Sequence, residues 1–153
     1  MKAVAQRVEW AKVSVDGRVI GEIGEGLLVL LGVAGDDKKS DADYLAEKLI
    51  NLRIFEDSDG KMNISLRDIS GAMLVVSQFT LLADCTKGRR PSFVGAGDPG
   101  EAMKLYDYFV ERVRQSIADV ATGQFQEMMK VELCNSGPVT LILDSRTRRG
   151  STS

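Results

Sequence analysis

The sequence predicts an α+β domain, with a mostly antiparallel, barrel-like sheet and two helices. Three observations lead there. Apolar residues alternate or run unbroken through short segments bounded by turn signals, which marks strands. Two other stretches repeat their apolar residues at helical spacing. The chain has 153 residues, a length that suits a single domain. No glycine-rich strand-to-helix loop occurs, which excludes Rossmann and P-loop arrangements.

The elements follow in order. Val4, Gln6, Val8 and Trp10 alternate with Ala5, Arg7 and Glu9, and Val13 and Val15 continue the pattern. Asp16-Gly17 separates them from Val19, Ile20 and Ile23. Asp-Gly between β-rich runs signals a hairpin, because both turn residues must tolerate positive φ. Leu27 to Val33 is nearly all apolar and reads as a strand buried on both faces. A helix is expected from about Ser40, which can cap it, with Asp43 three residues on and Tyr44, Leu45, Leu49, Leu52 and Ile54 as its stripe. Phe55 to Asp59 ends it, and Asp59-Gly60 turns the chain. Lys61 to Leu66 is short and mixed, and Met73 to Leu82 reads as another buried strand.

Ala83 to Gly100 reads as a long loop, of a length that is usually functional or disordered. The second helix has the clearest start, with Asp98 as cap and Pro99 at its first position. Met103, Leu105, Tyr106, Phe109, Val110, Val113 and Ile117 form its apolar face. Met128 to Leu133 and Val139 to Leu143 read as two last strands around Asn135-Ser136-Gly137-Pro138. The domain is expected over residues 1–145, with a basic, flexible tail over 146–153.

Composition excludes several chemistries. The chain has no histidine, so Ser-His-Asp and Cys-His catalysis and imidazole zinc sites are ruled out. Cys85 and Cys134 form neither a CxxC pair nor a metal cluster and suit a reducing cytosol. No metal or cofactor is expected. A formal charge of -2 makes the chain no global polycation, so nucleic acid would need a local patch or a shaped pocket. Charges at Lys2, Arg7 and Glu9 argue against a signal peptide, and no apolar run is long enough to span a bilayer. A cytoplasmic protein without membrane contact is expected.

Three segments carry polar groups that scaffolding alone does not require. Ser77-Gln78-Phe79-Thr80-Leu81 borders an apolar strand, where buried hydroxyls and amides need partners. It is either a site or the polar face of an alternating strand. Asn135-Ser136-Gly137-Pro138-Val139-Thr140 is either an ordinary turn or a rigid element presenting carbonyls to a ligand. Lys87, Arg89 and Arg90 precede Phe93, a pattern that suits phosphate contact and base stacking and equally suits a solvated loop.

Together with Arg53-Ile54-Phe55-Glu56-Asp57, Gly60-Lys61-Met62-Asn63 and Arg90-Pro91-Ser92-Phe93, these segments resemble the D-aminoacyl-tRNA deacylases, enzymes of chiral proofreading. The resemblance runs in order from Gln6-Arg7-Val8 to Leu143. It implies a homodimer with active sites at the subunit interface, hydrolysing the ester between a D-amino acid and the acceptor end of tRNA. It assigns Ser77, Gln78, Phe79 and Thr80 to the catalytic pocket wall. It makes Gly137-Pro138 a cis element inserted into the partner's site for chiral selection, held by Arg7. It places Phe125 and Met129 near the terminal adenine. Lys87, Arg89 and Arg90 are the expected tRNA phosphate contacts.

An aminoacyl ester is already labile, so positioning and oxyanion stabilisation suffice without histidine. Backbone N–H groups around Phe79 and Thr80 are the expected donors. Rejecting every L side chain needs a rigid wall beside the α-carbon, and glycine has nothing for such a wall to exclude, so glycyl-tRNA is an expected side substrate. The competing expectation is a non-catalytic dimeric tRNA-binding module on the same scaffold.

Overall fold

The computed structural model describes residues 1–150, beginning with the long strand β1 (Lys2–Val15). Asp16 and Gly17 take positive φ, and β2 (Arg18–Ile23) returns antiparallel along the second half of β1, as the Asp-Gly signal predicts. β3 (Gly26–Gly32) pairs antiparallel with the first half, Lys2 opposite Gly32 and Val8 opposite Gly26. Its unbroken apolar run is buried on both faces.

Helix α1 (Lys39–Asn51) starts one residue before the expected position, and Ser40 is not its cap. The Asp41 carboxylate instead accepts from the Lys38 amide at 2.8 Å. The helix buries Ala42, Leu45, Ala46, Leu49 and Ile50, and ends before Leu52 and Ile54. β4 (Phe55–Glu56) and β5 (Met62–Ile64) then pair around Asp59-Gly60.

β6 (Ala72–Ser77) lies parallel to β3. Met73 to Leu82 is therefore not one strand: the chain turns at Gln78 into a 3-10 helix, Phe79–Leu82. Gly32 makes that turn possible. A Cβ there would stand 3.0 Å from the Gln78 carbonyl oxygen and 3.1 Å from the Leu81 Cβ, so only glycine lets this helix settle on the end of β3.

Helix α2 (Pro99–Arg114) starts as expected, the Asp98 carboxylate accepting from the amides of Gly100 and Glu101 at 3.1 and 3.2 Å. Tyr106, Phe109, Val110 and Val113 are buried, whereas Met103 faces solvent. β7 (Val120–Thr122), which periodicity did not reveal, runs parallel to β6. β8 (Met129–Asp144) is one continuous strand where two were expected. It follows β1 from Val15 back to Lys2 and absorbs the Gly-Pro segment as an excursion of residues 136–139 opposite Arg7.

The sheet order is β2-β1-β3-β6-β7, with β8 also paired to β1. Its pairings are mostly antiparallel, with β3-β6 and β6-β7 parallel. Contacts of β2 with β6 and β7 curl the sheet into a nearly closed barrel. One core, including Leu45, Leu49, Phe109, Val29 and Met73, joins the sheet to both helices. The other, including Val8, Val13, Leu28 and Leu74, fills the curl. The Met1 ammonium pairs with Asp37 at 2.5 Å and donates to Ser145 Oγ at 2.9 Å. Residues 145–150 form a 3-10 helix in which Arg146 pairs with Asp36, while 151–153 of the expected tail lie outside the described residues. Among the described residues no helix is long and apolar enough to cross a membrane.

Candidate active site

The turn at Gln78 opens a cavity of about 710 Å³ beside the end of β6. Ser77, Gln78 and Phe79 line one side, and Phe125 and Met129 line another. Ala102 and Pro99 bring the start of α2 to the same space, and Val33 and Val131 add apolar surface. An apolar enclosure bordered by a few polar groups suits a planar base joined to a polar sugar. Phe79 is exposed at the rim, and Phe93 meets it edge to face with ring centroids 5.2 Å apart. The sequence offers Phe93 as a stacking aromatic after the basic cluster and as part of the Arg90-Pro91-Ser92-Phe93 motif, but does not assign it to the cavity. Tyr106 braces the wall from behind, its buried hydroxyl donating to the Val75 carbonyl at 2.8 Å. Burial drives its pKa well above the usual phenol value, so it is a structural donor and not a proton shuttle.

The polar edge is built by the 3-10 helix. Phe79 and Thr80 are its first residues, and N–H groups at the start of a helix have no carbonyl partner within it. The first helical bond is made by Leu81, whose amide donates to the Gln78 carbonyl at 3.2 Å. Thr80 is exposed and does not itself line the cavity. Its hydroxyl oxygen accepts a hydrogen bond from the Gln78 side-chain amide. An amide donor takes a lone pair and removes no proton, so this contact does not activate the hydroxyl as a nucleophile. Among the described residues there is no cluster of side chains able to hold a metal ion.

The Gly-Pro segment stands elsewhere. Gly137-Pro138 is a cis peptide, Gly137 has φ +110, and both residues are exposed. Arg7 grips the segment from beneath: its Nε donates to the Ser136 carbonyl at 3.2 Å and its Nη1 to the Ile54 carbonyl at 2.7 Å. The Asn135 amide closes the base, donating to the carbonyls of Arg7 and Val139 at 2.9 and 3.0 Å. These bonds explain why β8 resumes its pairing beyond the excursion and does not break into two strands. Val131 in the cavity wall pairs with Val13, whereas the excursion lies opposite Arg7. Six residues of extended chain separate those positions, about 20 Å. Arg7, Gly137 and Pro138 are not among the residues that line the cavity of their own chain.

Lys87, Arg89 and Arg90 are exposed at the tip of a loop. Two backbone hydrogen bonds between Asp84 and Ser92, 2.7 and 2.9 Å, clasp its base. The Asp84 carboxylate accepts from the Thr86 hydroxyl and amide, which hold its pKa below the usual carboxylate value. Phe93 follows this clasp directly, linking the basic tip to the cavity rim. Cys85 is exposed and Cys134 half-buried, and neither forms a disulfide.

Known proteins place this architecture. A family model described as D-Tyr-tRNA(Tyr) deacylase matches residues 4–144. A D-aminoacyl-tRNA deacylase of Dehalococcoides mccartyi (strain CBDB1) is 60% identical over 148 residues, covering 97% of both chains. One from Geobacter sulfurreducens is 57% identical over 152 residues, covering 99% of this chain and 100% of its own. A solved structure described as the c-Myc DNA unwinding element binding protein superposes with a TM-score of 0.89 at 39% identity, covering 94% of this chain and 98% of its own. The structure of a probable eukaryotic D-amino acid tRNA deacylase, 17% identical, shares the fold with a TM-score of 0.82 over 93% of this chain and 97% of its own. Fold and relatives thus define the chain as a deacylase, a hydrolytic enzyme. It belongs to the D-Tyr-tRNA(Tyr) deacylase family.

Proposed function

We propose that the protein hydrolyses the ester of D-aminoacyl-tRNA in the cytoplasm as a homodimer, and spares L-aminoacyl-tRNA. The observation that carries this reading is the start of a 3-10 helix at Phe79 and Thr80, whose amides take no carbonyl within that helix, beside an apolar cavity with room for a nucleoside and its ester. The terminal adenine sits against Phe125 and Met129. The scissile carbonyl then lies over the start of the 3-10 helix, where the two N–H groups stabilise the developing oxyanion. Donors of this kind are each worth about 10²- to 10³-fold in rate. The attacking group is water, or the 2′-hydroxyl of the terminal ribose, and no side-chain nucleophile is needed.

Selection between enantiomers falls to Gly137-Pro138 of the partner subunit. Gly137 and Pro138 are exposed and are not among the residues that line the cavity of their own chain, which leaves the element free to serve a partner. Ile142 supports the pairing of two copies: it is 81% exposed on β8, opposite Val4 of β1. Proline fixes a rigid surface, and glycine lets backbone carbonyls approach the α-ammonium closely. Only the side chain distinguishes the two α-carbon faces, so glycyl-tRNA passes as a side substrate. Lys87, Arg89 and Arg90 meet the tRNA phosphates beside the rim.

A paired assay with D-tyrosyl-tRNA and L-tyrosyl-tRNA tests this. Loss of the D ester alone is expected. Loss of both esters removes the Gly-Pro wall from the reading, and loss of neither leaves a non-catalytic RNA-binding dimer. A second expectation concerns Thr80. Its hydroxyl lacks a base, so Thr80→Ala keeps turnover of D-tyrosyl-tRNA within about tenfold of the unmodified protein. A folded Thr80→Ala protein without measurable turnover would return the nucleophile to that side chain.

A further inference from the structure

We infer that Lys38 and Lys39 form a second RNA-contacting surface, which takes acceptor-strand phosphates beyond the terminal adenosine; the inference rests on the deacylase reading. These lysines line a separate cavity of about 410 Å³ between the β3–α1 connection and the start of α2. Val33, Gly97 and Ala102 belong to the walls of both this cavity and the adenosine cavity, so the two adjoin. The chain segments between them are stitched together. The Gly97 amide donates to the Val33 carbonyl at 2.9 Å, the Gly35 amide to the Gly95 carbonyl at 3.3 Å, and Ala34 bridges Ala96. The groove is therefore a fixed extension of the site's edge.

Its cations available to a ligand are Lys38 and Lys39, because Lys104 is held by Glu101. The acidic residues around it are engaged. Asp37 holds the Met1 ammonium and the Ala34 amide, Asp98 caps α2, and Glu101 pairs with Lys104 at 3.0 Å. Lys38 and Lys39 are exposed and form no ion pair with a carboxylate among the described residues. Lys39 is steered by Tyr108, its ammonium 5.1 Å from the ring centroid. A cavity that accepts one terminal nucleoside leaves the rest of the polymer outside, with one negative charge at each nucleotide. Lysines act on it as point charges that position the strand without reading its sequence. The basic loop at Lys87 to Arg90 and this lysine groove would thus hold the emerging acceptor end from two sides.

The test compares two substrates, D-tyrosyl-tRNA and the D-tyrosyl ester of adenosine, which ends where the groove begins. For Lys38→Glu with Lys39→Glu, KM for D-tyrosyl-tRNA is expected to rise about tenfold or more, and the slope of log KM against log salt to flatten by about 1.5. The adenosine ester is expected to be cleaved as by the unmodified protein. Lys38→Ala with Lys39→Ala introduces no new acid and gives a smaller rise in the same direction, which keeps the test sound if the reversed variant folds poorly. Unchanged KM and salt slope in both variants overturns the surface, as does equal impairment on both substrates. Unmodified protein that cleaves neither ester overturns the deacylase reading and this surface with it.

Discussion

Gly137→Ala is expected to lower kcat/KM for D-aminoacyl-tRNA by about a hundredfold or more, the scale of displacing a positioning group by an ångström. Two features of the site lead there. Gly137 sits at φ +110, outside the range in which a side chain is comfortable. A Cβ there would also run into the Arg7 guanidinium and come within 3.2 Å of Val139 Cγ2. Either the carbonyl positions of the segment change or Arg7 lets go of Ser136, and both move the proposed chiral wall. The fold should survive, because residues 136–138 belong to neither core and β8 pairs with β1 on both sides of the excursion. Backbone strain of this kind costs about 1–3 kcal/mol. Steady-state kinetics on D- and L-tyrosyl-tRNA, with a melting curve for each protein, checks the outcome. A folded Gly137→Ala protein with unmodified kcat/KM and chirality would remove the segment from the site.

Arg7→Ala should show the reverse balance, with a large loss of stability as well as of activity. Arg7 is only 7% exposed and satisfies two backbone carbonyls, those of Ser136 and Ile54. Truncation strands both, at a cost of about 3 kcal/mol in all. For a chain of this size that lowers Tm by about 6–12 °C. Arg7→Lys keeps the charge but not the planar fork that reaches two carbonyls at once, so its melting point should fall between the two. Thermal denaturation of the three proteins decides it. An Arg7→Ala protein as stable as the unmodified one would show that these hydrogen bonds carry no net stabilisation.

Local signals in the chain were legible where the structure obeys local rules. Asp16-Gly17 gave the hairpin, Asp98-Pro99 the start of α2, and the run from Leu27 the doubly buried β3. The departures share a different cause. Leu81 and Leu82 look like strand residues, but the chain bends before them because Gly32, far away in sequence, leaves room. Gly-Pro looks like a strand break, but Asn135 and Arg7 bridge it with hydrogen bonds that no periodicity records. β7 is only three residues long and is specified by its parallel neighbour β6. The same division holds at the site. Ser77, Gln78, Phe79, Phe125 and Met129 meet around one cavity and Thr80 stands outside its lining, whereas Val33, Pro99 and Ala102 complete it only through tertiary packing. Motifs name the polar edge of such a cavity; its apolar walls come from residues that elsewhere would be ordinary core.

The place of Gly137-Pro138 outside its own chain's cavity has a kinetic consequence under the proposed arrangement. If a cavity and the wall that guards it always belong to different chains, a lone chain is not half an enzyme with relaxed standards but an unguarded hydrolytic pocket. Dilution would then act on fidelity as well as on rate: as dimers dissociate, output per chain departs from proportionality and discrimination between enantiomers decays with it. Accuracy in such a system becomes a function of protein abundance, and a cell that lowers the amount of this chain would surrender selectivity along with throughput.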